Sequence, residues 1–166
     1  MAQARPTEQR SKVEAAFLRN FARYVTWPAL AFANERAPWV VCIVGDHVDD
    51  IVDKTLQGRT EHGRGFEVVR MRMSDRLTGC HMVYVAYDDS ARRRAVLDEV
   101  RSKPVLTVGD APEFLDEGGI IRLLAGERIE MSINLDQARA SSLAIPAKML
   151  EVARDVLENG STRRLR

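Results

Sequence analysis

Carboxylates are the residues whose types and spacing come closest to a chemical site in this sequence. Asp46, Asp49 and Asp50 follow one apolar run, and Asp88 and Asp89 follow another. Acids gathered where parallel strands end can hold magnesium around a phospho-accepting aspartate. That chemistry also needs a lysine closing a later strand, whereas Lys103-Pro104 here precedes one. The aspartates read more simply as helix caps, favoured by the positive end of the helix dipole. Gly45 and Gly109 each stand in a Val-Gly-Asp triplet, but no glycine-rich phosphate loop of the G-x-G-x-x-G kind surrounds them. They read as turn glycines followed by capping acids.

The remaining candidates are weaker still. His47, His62 and His81 share no metal-ligand spacing, and no G-x-S-x-G elbow or Cys–His motif supplies a nucleophile. On an alternating strand, His81 and Cys80 would face opposite sides. Arg92, Arg93 and Arg94 fan over a wide arc of a helix, the usual appearance of a solvated face. The sequence therefore predicts no catalytic residue, metal or cofactor, and favours a binding or regulatory module over an enzyme.

The elements that must position these residues come from the hydrophobic pattern. The 166 residues are 45% apolar and 30% charged, the balance of a globular chain large enough for one core. Lys+Arg at 25 against Asp+Glu at 24 leaves a net charge of +1, without the field that nucleic-acid binding uses. No apolar run approaches the roughly 20 residues of a membrane span. Residues 1–10 read as a flexible N-terminus, without a complete signal peptide before residue 11, and Ala2-Gln3-Ala4 resembles the end of one.

From Ser11 the pattern is helical, with Phe17, Phe21 and Tyr24 along one face, Trp27 as an anchor and Pro28 turning the chain. Aromatic rings interleaved with Arg19 and Arg23 here read as a packing motif. Strands are predicted over 39–44, 66–71, 81–86 and 104–108, with helices over 48–56 and 90–101, the latter burying Ala91, Ala95 and Val96. Residues 119–124 and 128–135 read as a hairpin, and Asn134 or Asp136 as the cap of a short helix to Ala140. Met149, Leu150, Ala153, Val156 and Leu157 then form one face of a closing helix. The expected fold is α/β of Rossmann or flavodoxin-like type: a mostly parallel sheet flanked by helices on both faces, with a C-terminal hairpin and closing helix. The expected domain spans 11–158, and 159–166 reads as a polar tail.

Five collinear segments resemble the YfiR-like periplasmic regulators. They are Ala15 to Pro28, Trp39 to Asp46, Gly79 to Ala86, Lys103 to Ile121 and Arg128 to Arg139, followed by the helix around Lys148-Met149-Leu150. The resemblance implies an exported α/β protein, here without its signal peptide, that inhibits a membrane-bound GGDEF diguanylate cyclase by binding its periplasmic domain. It would thereby lower cyclic di-GMP and biofilm formation. A homodimer is a further expectation. The resemblance also implies a Cys42–Cys80 disulfide, although a second cysteine pair found in some relatives has no counterpart here. Ala144 and Pro146 replace more polar residues of relatives, which argues against transferring a ligand site there.

The second half departs from plain strand–helix alternation. Arg122, Arg128, Glu130, Lys148 and Glu151 are accordingly the candidate partner-binding residues. Two alternatives stand beside the regulator: a small-ligand-binding flavodoxin-like domain using Asp46, Asp88 and Asp110, and a cryptic hydrolase built on those acids.

Overall fold

Strand β1 (Trp39–Gly45) is apolar and β-branched along its whole length, so it must be covered on both sides, and it lies inside the sheet. The computed structural model describes residues 6–45, 50–72, 77, 79–124 and 128–164, with side chains from residue 9 onward. Helix α1 (Pro6–Tyr24) leads into β1 through a short 3-10 turn at Ala29–Ala31. Then come α2 (Ile51–Leu56), β2 (Thr60–Glu61), β3 (Arg64–Met71), β4 (Met82–Ala86), α3 (Ser90–Val100) and β5 (Leu106–Gly109). The second half holds β6 (Ile121–Leu124), β7 (Glu130–Asn134), α4 (Leu135–Ala140), α5 (Ala147–Val152), β8 (Asp155–Glu158) and β9 (Ser161–Arg164).

The result is a mixed α/β architecture on one mostly parallel sheet, in the order β2-β3-β1-β4-β5-β6-β7-β8-β9 among the described residues. β3, β1, β4, β5 and β6 run parallel, as do β7 and β8, whereas β2–β3, β6–β7 and β8–β9 are antiparallel. Alternate residues of the central strands feed two apolar clusters. One joins Val41, Ile43, Met82 and Leu106 to α1 and α2 residues such as Leu18 and Leu56. The other joins Cys42, Val44, Val83 and Val85 to Val96, Leu97 and Val100 of α3.

Several elements differ from the sequence expectation. α1 begins at Pro6, inside the stretch read as loose. The closing helix stops at Val152, and Val156 and Leu157 lie on β8, which pairs parallel with β7 (Ile133↔Val156). Without β8, the main-chain groups along that edge of β7 would be unpaired, so pairing wins over helical spacing. Residues 161–164, read as tail, return as β9 across an Asn159-Gly160 turn with φ of 54° and 76°. A second two-residue turn, His62-Gly63 with φ of 53° and 75°, closes β2–β3 between the predicted helix over 48–56 and the predicted strand over 66–71. On α3, Ala91 and Ala95 are exposed, and Arg93 is buried with Val96, Leu97 and Val100. The hairpin turn 125–127 lies outside the described residues.

Candidate functional site

α1 carries two adjacent stripes, and the fold buries the one with the smaller side chains. Ala15, Leu18, Ala22 and Val25 enter the core together with Phe21, and small residues let a helix approach a sheet closely. Val13, Phe17 and Tyr24 are displaced to the side, where Val13 is 42% and Tyr24 37% exposed. α5 lies beside them, with Met149 buried and Val152 56% exposed. Phe17, Phe21, Tyr24, Met131, Met149 and Val152 line an open apolar groove of about 170 Å³, with Asn20 and Lys148 at its polar margin. Lys148 Nζ sits 5.2 Å from the centre of the Tyr24 ring. An adjoining hollow shares Phe17, Met131 and Val152 and adds Arg128, Ile129 and Glu130.

The structure thus brings Arg128, Glu130 and Lys148 around one apolar surface. Arg122 and Glu151 line neither hollow: Arg122 lies on β6, with its Nε buried and unbonded, and Glu151 is exposed on α5. Phe17 and Tyr24 face the groove, whereas Phe21 reaches the core, and Trp27 donates from Nε1 to the His81 carbonyl at 3.1 Å. Half-buried Pro28 starts the 3-10 turn. A groove of this volume is below the about 300–1,000 Å³ of typical small-molecule sites and suits inserted side chains.

At the carboxyl edge of the sheet, Asp46 and Asp49 lie outside the described residues. Asp89 caps α3 by accepting from the Ala91 amide at 2.9 Å, as a capping acid should, and Asp110 pairs with Arg10 at 2.9 Å. Among the described residues no cluster of His, Cys, Asp or Glu is placed to hold a metal. Gly109 has a different task from phosphate binding: a Cβ there would stand 2.7 Å from the Phe114 ring, and one at Gly119 2.2 Å. Phe114, fully buried between these glycines, fixes the 110–119 segment over the strand ends.

Arg93 is the residue that the sequence reading missed. Its Nε and Nη2 donate to Glu117 at 2.7 and 2.9 Å, and Nη1 donates to the Tyr87 and Asp88 carbonyls at 3.0 and 2.8 Å. Ser90 donates to the same carboxylate. Burial by itself would raise Glu117, but the bonds from Arg93 and Ser90 and the Arg93 charge hold it below the ordinary carboxylate range. Glu117 in turn raises Arg93. The group is a structural clamp between α3 and the 110–119 segment. No spacing rule could find it, because the partners lie 24 residues apart in different elements.

At the opposite edge, His81 Nδ1 accepts from the Val40 amide at 3.0 Å, so Nε2 bears the proton that goes to the Ala31 carbonyl at 2.8 Å. Phe32 stacks on its ring at 4.3 Å. Cys42 on β1 and Cys80, just before β4, form a disulfide with Cα atoms 5.9 Å apart. No helix among the described residues is long and apolar enough to cross a membrane.

No curated protein matches the chain. Residues 11–154, which include both cysteines, most of α1 and all of α5, match the family described as YfiR/HmsC-like, DUF4154. The chain therefore belongs to the YfiR/HmsC-like family.

Proposed function

We propose that this protein is a periplasmic regulator of cyclic di-GMP signalling. It binds the periplasmic sensor region of an inner-membrane diguanylate cyclase and holds it inactive, which lowers cyclic di-GMP and biofilm formation. Membership of the YfiR/HmsC-like family carries the reading. The Cys42–Cys80 bridge supports the compartment, because structural disulfides persist where the surroundings are oxidising. The order β3-β1-β4-β5-β6 and the sharing of helices between two apolar clusters support a flavodoxin-like arrangement within the one domain. A small ligand at the carboxyl edge has less support, since Arg10 engages Asp110 and Phe114 fills the 110–119 segment.

The docking surface in this reading is the α1–α5 groove. Tyr24, Phe17 and Val152 offer apolar area at an exposed site, and aromatic residues of this kind act as binding anchors. Lys148, Arg128 and Glu130 form a charged rim that sets orientation more than strength. A releasing signal must then favour the free form, because coupling between signal and partner is reciprocal.

Titrating the protein calorimetrically into the purified periplasmic regions of the membrane-bound diguanylate cyclases of the same organism tests both levels. The wild type should form a saturable complex. Val152→Asp, at an exposed position, should weaken it at least tenfold without lowering the melting temperature. A Val152→Asp protein that binds as tightly as wild type would remove the groove from the account.

A further inference from the structure

The sheet does not end with the family segment. The match stops at residue 154, and β8 and β9 extend the sheet beyond it. Val156 is fully buried, and α4 grips the turn: the Asp136 carboxylate accepts the Asn159 and Gly160 amides at 2.7 and 2.9 Å. Those two bonds hold Asp136 below the ordinary carboxylate range. Glu158 takes both Arg139 and Arg163 at 2.8 Å. The hairpin is therefore held in place along its inner strand.

Its outer strand is open. All four residues of β9 are exposed, and β9 is the last strand of the sheet. The register pairs Glu158 with Ser161 and Leu157 with Thr162 across a two-residue turn. In such a ladder the residues flanking the turn exchange both main-chain bonds and the pairs then alternate. Thr162 and Arg164 consequently direct their N–H and C=O groups away from β8. The opposite edge of the sheet, β2, is only two residues long.

We infer that β9 is a second interaction surface, which takes an extended acidic segment of a partner protein as an added antiparallel strand. Main-chain groups of Thr162 and Arg164 would give pairing, and the Arg164 guanidinium would select carboxylate side chains, in a neighbourhood where Arg139 and Arg163 already share the single Glu158 carboxylate. Charge decides against a second copy of this chain. The register that satisfies Thr162 and Arg164 on both copies sets the two Arg163 side chains directly opposite, and like charges there are destabilising. This surface shares no residue with the α1–α5 groove.

The test uses the full chain with two decapeptides, one alternating Glu and Val and one alternating Lys and Val, followed by calorimetry and amide NMR. The acidic peptide should bind saturably, at least tenfold more tightly than the basic one, and should shift the Thr162 and Arg164 amides. Thr162→Pro removes an outward N–H and no bond to β8, so it should abolish binding while amides away from the β8–β9 hairpin keep their positions. Arg164→Glu should weaken binding at least tenfold. Absence of saturable binding, or equal binding by Thr162→Pro, would overturn the proposal and leave the arginines as guards against edge pairing. A dimer of the free chain that Thr162→Pro dissolves would overturn it in favour of self-association.

Discussion

Arg93 shows how far one side chain can depart from its sequence surroundings. Arg92 and Arg94 are exposed as a charge run predicts, while the residue between them is almost fully covered and spends four donor contacts on Glu117 and two carbonyls. Truncating one partner leaves the other charge buried without a counterion, so Arg93→Ala should cost about 3–5 kcal/mol in denaturant unfolding. Arg93→Lys should recover only part of that, because lysine cannot reproduce the two-pronged contact. His81 gives a pH prediction. Burial holds its pKa below the ordinary 6.5, aided by Arg64 and opposed by the bond to Ala31. The folded imidazole is neutral, and below 6.5 the unfolded chain binds more protons, so stability rises with pH there. Full stability is expected above that value, with a progressive loss as pH falls from it towards the lowered folded value. His81→Gln should flatten this slope in unfolding measured between pH 7 and 5.

The elements were legible where period and length agreed. β1, β4 and β5 read directly from apolar runs closed by Gly, Asp or a helix cap, and Asn134 caps α4 through the Gln137 amide at 3.0 Å. On α1 the large rings suggest the buried stripe, but the small Ala15 and Ala22 are the residues that seat the helix on the sheet. The displacement of Phe17 and Tyr24 to the side creates the groove. The end of the chain carried its own signal, since Asn159-Gly160 between β-capable residues is a strong hairpin mark. Helical spacing from Met149 to Leu157 obscured it, and the need to cover the β7 edge settled the competition. The disulfide acts at this scale too, tying β1 to the segment entering β4 across 38 residues. On the chain-entropy estimate a loop of this length contributes about 3–4 kcal/mol, so Cys42→Ser with Cys80→Ser should unfold at correspondingly lower denaturant. Dithiothreitol should have the same effect on wild type and none on the double variant.

For the molecule as a whole, the family and the architecture tell one story. A mostly parallel sheet buries its central strands, the described carboxyl edge is occupied by Phe114, Arg93–Glu117 and Arg10–Asp110, and the α1–α5 groove leaves apolar surface outside. Near-zero net charge fits a protein that meets its partner through shape and a few placed charges rather than a broad field. The motifs showed the family; packing showed which face is free, and that depended on contacts between distant segments. The central claim is inhibition, and it can be measured directly. The full-length cyclase is reconstituted in vesicles with its sensor region outward, disulfide-intact protein is added outside, and cyclic di-GMP synthesis is followed. The account predicts a saturable loss of cyclase activity that Val152→Asp does not produce at the same concentration. Undiminished synthesis at saturating wild-type protein would contradict it.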